Sequence, residues 1–407
     1  EFRRVLFRSR ALEAHREGAL DLCMLRCPLK MFTLLFRCDS KENMPSFSWV
    51  ETMIGLTAKL ERLRHFTASW IDVYGIDECF QACETQDILY LLGNVTHNFY
   101  RAAPYRFVLR NEAGKFSDRL CMAYQKMDAP EARGVIPPMI VPVGKRSFSK
   151  EAFSSLERLC EVALTMRNIT FCFRAPSLAE WGRYQKAPCF LGTIVLNLKR
   201  AAYKAGRNQI GKFWEEIGAL FTIAVKAHLD QRRFFGGLSE GPLRFLFDPS
   251  FHRSYHFEHM GFCVEITGLY EAVFFLTGEE MTRGEGKELG IQTIARLHEL
   301  AQDASEKHEV PILLDDCEEH EESAVRFLEM DSRDFPSFST DFAPYTRGPH
   351  LQSTANLSPK EKILFEGQFH KHLPSVVSLM PEFTVEELIQ LLRFGLEETE
   401  AIAIHVL

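Results

Sequence analysis

The sequence lacks several signatures that would assign a function quickly. No apolar run reaches the ~18–20 residues a membrane helix needs, so no membrane partner is expected. No CxxC occurs, and the 11 cysteines, an odd count, are scattered. That excludes a disulfide scaffold and reads as free thiols of a reducing, cytoplasmic compartment. Cys23/Cys27 and Cys79/Cys83 share helical spacing, but thiolate zinc sites come as tighter knuckles, so no metal site is expected. There is no GxxxxGK[ST] and no GxSxG. Basic residues are in deficit, 48 against 55 acidic, for a net charge of −7. This argues against a nucleic-acid partner and leaves only a local basic cleft open.

What is present is an ordinary globular balance, 46% apolar and 25% charged. At 407 residues the chain suggests two domains, or one of the large α/β barrels. Residues 1–9, with Arg3-Arg4-Val5-Leu6-Phe7-Arg8-Ser9, look like the in-frame translation of a sequencing adaptor and are set apart. Residues 10–45 are weakly patterned, with Leu20, Leu22, Cys23, Leu25 and Leu29 compatible with a short helix. Helical spacing follows Ser48, through Met53, Ile54, Leu56, Leu60 and Leu63, and again over 84–99. Residues 134–143 are apolar but proline-rich, which predicts an edge strand or an extended loop. A helix with Ser149 as a possible cap, strands over 168–173 and 190–198, and a long helix over about 209–233 come next.

Residues 261–277 read as a helix or a strand–helix unit, and 285–307 as an amphipathic helix. Residues 310–314 and 325–330 are strand candidates. Thr384 caps a further helix, and 401–407 has the content of a buried strand. The alternation of strands and helices predicts an α/β fold with a largely parallel sheet, open or closed. A chain seldom stops inside a core strand, so truncation at the C-terminus is expected as well as at the N-terminus.

Among constellations, His252, His256 and His259 are spaced for a shared helical face, yet the order is not HExxH. Polar residues near a helix entrance are the preferred reading. The acidic run 315–322 lacks the spacing of a calcium loop and reads as a solvated loop. Gly236-Gly237 reads as a loop, and Gly284, Gly286 and Gly290 miss the dinucleotide fingerprint by one residue. Cys172 lies within an apolar strand and Cys189 just before one. A thiol in an apolar cavity keeps its proton and suits hydrogen-atom chemistry better than ionic attack, although buried cysteine is also common packing material.

Several segments, in order, resemble the catalytic subunit of class III anaerobic ribonucleotide reductases. Gly192-Thr193-Ile194-Val195-Leu196-Asn197-Leu198-Lys199-Arg200-Ala201-Ala202-Tyr203 resembles G-x-V-x-I-N-L-P-R-I-x-Y, with lysine in place of proline. His256-Phe257-Glu258-His259-Met260-Gly261 resembles H-F-x-x-I-G. Gly268-Leu269-Tyr270-Glu271-Ala272 with Leu276-Thr277-Gly278 resembles G-x-N-E-A and its L-T-G. Val325-Arg326-Phe327 with Asp331, Phe335 and Pro336 fits Y-R-F and D-x-x-x-F-P. Tyr345-Thr346-Arg347-Gly348 stands where the family has Y-T-N-S. The match spans roughly residues 60–407.

The resemblance implies the ten-stranded α/β barrel of glycyl radical enzymes, built from two half-barrels and incomplete here. Residues 46–407 would form the barrel and 10–45 an N-terminal remnant. It implies a C-terminal glycyl radical, outside this chain, installed by a radical-SAM activating protein that carries a 4Fe-4S cluster and uses S-adenosylmethionine. Zinc would sit in the missing C-terminal module. The expected reaction is reduction of a ribonucleoside triphosphate to a 2′-deoxyribonucleotide through a cysteine thiyl radical, the supply step for DNA replication. A homodimer is implied. Cys189 and then Cys172 are the candidate thiols. Asn197, His256, Glu271, Thr346, Arg347 and Gly348 are the implied substrate residues. Two departures stand out. Only residues 174–188 separate the strands that should flank a long finger loop, and Arg347-Gly348 replaces Asn-Ser. They keep two alternatives open, a catalytically silent homologue that binds or regulates and a glycyl radical enzyme with a non-nucleotide substrate.

Overall fold

In the computed structural model the described residues are 9–23, 33–37, 60, 71–79, 83–97, 105–127, 136–173, 189–239, 260–316, 321–338, 345–351 and 357–407. The chain divides into two compact, discontinuous units. The first takes residues 1–32, 186–356 and 368–375, and the second 33–185, 357–367 and 376–407. Eleven strands occur among the described residues: β1 (Leu20–Leu22), β2 (Thr33–Arg37), β3 (Ile71–Tyr74), β4 (Tyr105–Val108), β5 (Met139–Pro142), β6 (Ile169–Cys172), β7 (Cys189–Asn197), β8 (Gly261–Thr267), β9 (Ile312–Leu314), β10 (Val377–Leu379) and β11 (Ala403–Val406).

The first unit holds β1, β7, β8 and β9. Strands β7 to β9 are parallel, and β1 runs antiparallel on the other side of β7, with Leu20 opposite Leu196. Its helices are α1 (Ser9–Arg16), α2 (Leu198–Ala205), α3 (Ile210–Ser239), α4 (Leu269–Thr277), α5 (Gly284–His308) and α6 (Glu321–Asp334). All nine residues of β7 are buried, as its largely apolar sequence, interrupted by Thr193 and closed by Asn197, suits a strand covered on both faces. Along α3 the buried positions Phe213, Ile217, Phe221, Ala224 and Val225 recur every three to four residues. Each large side chain among them adds about 1.5–3 kcal/mol of hydrophobic stabilisation.

The second unit orders its strands β10-β11-β6-β5-β4-β3-β2. All neighbours are parallel except β11, which runs antiparallel to β6. Helices Thr85–His97, Lys115–Lys126, Phe153–Met166 and Val385–Glu398 belong to this unit. Thr384 caps the last of them as expected, its Oγ accepting from the Glu387 amide while Glu387 accepts the Thr384 amide.

Several expectations are corrected. Leu20 to Leu22 form a strand, not a helix: Leu-Asp-Leu alternates with period two and pairs with β7. The proline-rich segment is an inner strand, β5, between β4 and β6. It tolerates proline because Pro142 is its last residue and Pro137 and Pro138 precede its first. Val325 to Met330 lie within helix α6, not a strand. Ala152, not Ser149, caps the helix Phe153–Met166. Gly236 and Gly237 belong to the end of α3. The acidic run is not uniformly solvated, because Asp315 and Asp316 are buried. In α5, a Cβ on Gly286 would stand 2.5 Å from the Glu280 carbonyl oxygen, so that glycine serves close packing. The helix expected after Ser48 and the trio His252, His256 and His259 lie outside the described residues, apart from Leu60, which is helical and buried.

Candidate active site

In parallel α/β sheets, ligands bind beyond the carboxyl ends of the strands. In the first unit that edge is made by the ends of β7, β8 and β9. Strand β7 ends at Asn197, whose Oδ1 accepts the Arg200 amide at 2.9 Å and so caps α2. Strand β8 ends at Thr267, and Gly268 then turns into α4 with φ +79°. A Cβ there would lie 3.0 Å from the Lys199 Cβ, so both backbone and space require glycine. Segment Tyr345–His350 lies against the end of β8, with an antiparallel bridge between Thr267 and Arg347. The Gly268 amide donates to Thr346 O (2.7 Å), and the Gly348 amide to Ile266 O (3.0 Å).

Three buried polar groups form at this edge. In the first, Asp331 of α6 accepts from Arg200 Nη1 (2.6 Å), Asn197 Nδ2 (2.9 Å) and Tyr345 Oη (3.0 Å). Arg200 also reaches Asp334 at 2.5 Å and lies over the Phe335 ring. Burial pushes the Asp331 carboxyl up, against the pull of its three donors. In the second, both oxygens of fully buried Glu271 accept from Thr346, from its amide (2.9 Å) and its hydroxyl (2.8 Å). Lys199 Nζ donates to the Glu271 carbonyl oxygen (2.7 Å) and sits over the Tyr203 and Phe275 rings. Burial lowers its pKa to about 8. In the third, Asp316 meets Ser375 Oγ at 2.6 Å and His350 Nε2 at 2.7 Å, with Arg347 Nε 3.4 Å from its other oxygen. Burial opposes the charge on Asp316, but His350, Arg347 and the hydrogen bonds prevail and hold it well below the usual carboxylate range.

Of the residues expected at a site, Asn197, Glu271, Thr346, Arg347 and Gly348 all come to this edge. His256 lies outside the described residues. Cys189 begins β7, at the opposite end from Asn197. Eight residues at ~3.3 Å each separate them by about 26 Å. It is fully buried, and burial raises its thiol well above the ordinary value. Cys172 ends β6, in the second unit, where its carbonyl accepts the Val143 amide at 2.7 Å. Cys23, Cys83, Cys121, Cys160, Cys172, Cys189 and Cys263 are all buried and unbridged. Sequence reasoning meets Lys199 only as a departure from a motif and Asp316 only within the acidic run, and assigns no role to His350 or Ser375. Asp331 and Tyr345 were visible only as motif letters. Among the described residues no group of three or more His, Cys, Asp or Glu is arranged to hold a metal ion, and no helix is long and apolar enough to cross a membrane.

Residues 146–375, more than half of the chain, match the sequence profile of the anaerobic ribonucleoside-triphosphate reductases, and this stretch includes the whole edge just described except its β1 flank. The chain belongs to that family. The reductase family assignment agrees with the fold. The anaerobic ribonucleotide reductase from Thermotoga maritima superposes with a TM-score of 0.75 at 12% identity, over 98% of this chain and 84% of that one. More distant likenesses are the B12-independent glycerol dehydratase from Clostridium butyricum (TM-score 0.53, 11% identity, 79% of this chain and 55% of that one) and the hydroxyproline dehydratase from Clostridioides difficile (0.56, 9%, 100% and 78%). These establish the glycyl radical enzyme type of α/β fold. No curated protein matches by sequence.

Proposed function

We infer that the chain is the substrate-holding part of an anaerobic reductase that converts ribonucleoside triphosphates to 2′-deoxyribonucleotides. The observation that carries this reading is the family match over residues 146–375, within which Asn197, Glu271 and Thr346 converge from three distant segments. A glycyl radical installed by a radical-SAM activase would supply the one-electron oxidation of a cysteine thiol. The chain's own contribution is to keep that thiol protonated, dry and positioned. A deeply buried thiol such as Cys189 meets the first two conditions. The balanced reaction takes a ribonucleotide, formate and a proton to the deoxyribonucleotide, carbon dioxide and water, or uses a dithiol as the two-electron donor. Asn197, Glu271, Thr346, Arg347, Gly348 and His256 are the residues assigned to the substrate frame, and Cys189 and Cys172 the candidate thiols.

The test is turnover of a ribonucleoside triphosphate by the full-length, activase-treated protein, with Cys189→Ala and Cys172→Ala beside it. Loss of turnover in one variant identifies the thiol. Full turnover in both removes these two cysteines from the mechanism. One observation favours a second reading, that of a silent homologue. The side-chain groups of Asn197 and Glu271, and the Thr346 hydroxyl, are engaged with other protein groups. Tight triphosphate binding without turnover in the activated protein would select it. Turnover of a small diol but not of a nucleotide would select a non-nucleotide substrate.

A further inference from the structure

Helix α1 ends at a glycine turn. The Gly18 amide returns to His15 O (3.1 Å) and the Ala19 amide to Ala14 O (2.9 Å), the paired bonds of a glycine C-cap. Gly18 has φ +73°, and a Cβ on it would stand 2.9 Å from Met330 Sδ and 3.2 Å from Met330 Cβ, on α6. Backbone and space therefore both ask for glycine. The turn brings two carbonyl oxygens to the end of β7. Gly18 O accepts from Asn197 Nδ2 (3.0 Å), and Ala19 O accepts the Asn197 amide (3.0 Å). The other Nδ2 hydrogen goes to Asp331 Oδ2 at 2.9 Å, so every hydrogen Asn197 can donate is committed. Its Oδ1 takes the Arg200 amide at 2.9 Å. A flipped side chain would set its oxygen against two acceptors and its amino group against a donor, so this pattern permits one orientation.

We propose that Gly18 is a positioning residue: the C-cap of α1 is a backbone brace that sets the orientation of the Asn197 side chain at the strand edge. This rests on the reading of Asn197 as part of the substrate frame. The brace comes from outside residues 146–375, which carry the family match. It reaches Asn197 through main-chain oxygens, which a side-chain motif does not display. A separate anchor holds the same segment. Ser323 Oγ donates to Asp21 Oδ2 (2.6 Å), His15 Nδ1 lies 3.2 Å from Asp21 Oδ1, and Leu20 pairs with Leu196. The Ser323–Asp21 bond ties β1 to α6 without touching Asn197. Brace and anchor can therefore be broken one at a time, which separates a positioning role from a merely structural one.

The experiment compares Gly18→Ala with Ser323→Ala by hydrogen exchange of the full chain without nucleotide, read over residues 197–203. Gly18→Ala should speed exchange there about 5–10-fold, the loss of one hydrogen bond. Ser323→Ala should lower the melting temperature yet leave residues 197–203 at the wild-type rate. In the full-length, activase-treated protein, Gly18→Ala should raise KM for cytidine triphosphate about 5–10-fold with kcat within about twofold, and Ser323→Ala should change neither. Wild-type exchange in Gly18→Ala, equal acceleration in Ser323→Ala, or an unmoved KM in Gly18→Ala overturns the proposal. If Gly18→Ala does not fold, Asn197→Asp replaces it, keeping an acceptor for the Arg200 amide and losing the Nδ2 hydrogens. Exchange should then rise over residues 14–22, and a wild-type rate there overturns the brace. If the wild type turns over no ribonucleotide, the reductase reading fails by itself, and the exchange result alone decides the brace.

Discussion

Replacing Asp331 with alanine tests whether the strand edge of the first unit is held by its buried charge. The carboxylate accepts from Arg200, Asn197 and Tyr345 at once. Asn197 retains Gly18 O as an acceptor, and Arg200 retains Asp334. The Tyr345 hydroxyl and one arm of a guanidinium that is only 6% exposed lose theirs. Breaking a buried ion pair by removing one partner costs about 3–5 kcal/mol. With a urea dependence of about 3 kcal/mol per molar, the unfolding midpoint followed by circular dichroism should fall by about 1–1.7 M. Asp331→Asn keeps the shape and part of the accepting capacity, and should cost roughly half as much. A double-mutant cycle of Asp331→Ala with Tyr345→Phe should return a coupling of about 1 kcal/mol. The reasoning is refuted if Asp331→Ala moves the midpoint by less than about 0.3 M, or if the asparagine and alanine variants behave alike.

Gly268→Ala should destabilise the protein by about 1–3 kcal/mol, since the new Cβ meets Lys199 at a positive φ; thermal melting checks it, and a neutral outcome would show that the turn can relax. His228 is buried, stacked on Phe262, and held neutral by burial with its pKa lowered to about 3. Because its folded pKa lies below the unfolded value, its contribution is complete above pH 6.5 and is lost on acidification, by about 1.4 kcal/mol per pH unit. His228→Gln should flatten the stability profile between pH 6.5 and 3, and an unchanged acid slope would contradict this. Lys199, lowered by burial to about 8, favours the folded state less when charged, so its contribution grows as pH rises from 8 towards 10.5. Lys199→Met should remove that alkaline gain and be no less stable than the wild type at pH 7. A clear loss at pH 7 would mean that the bond to the Glu271 carbonyl outweighs the burial of the charge.

The elements legible in the sequence were those whose cause is local. The apolar run of β7, the stripe along α3 and the Thr384 capping box declare themselves within one window. Helix α6 was misread because six residues around Phe327 mimic a strand. Its true period appears only when Ala324, Phe327 and Asp331 are seen as one buried face, with Val325 left 46% exposed. Asp315 and Asp316 looked solvated because the groups that compensate Asp316, His350 and Ser375, stand 34 and 59 residues away. The strand edge was half legible. Asn197, Glu271 and Thr346 were indicated by collinear motifs, whereas Lys199 was noted only as a departure from one, and its place over two aromatic rings depends on tertiary packing.

The antiparallel pairing of β11 with β6 has a consequence for the birth of the protein. Cys172 is partnered by Ala403, so roughly 230 residues must leave the ribosome between the two strands. At about 5–20 residues per second, the Ile169–Cys172 edge waits about 10–50 s for its neighbour. Unpaired apolar strand edges recruit other chains. During synthesis the edge that carries Phe171 therefore stays open until Ala403 emerges, and chains halted before Ala403 should be the ones that aggregate.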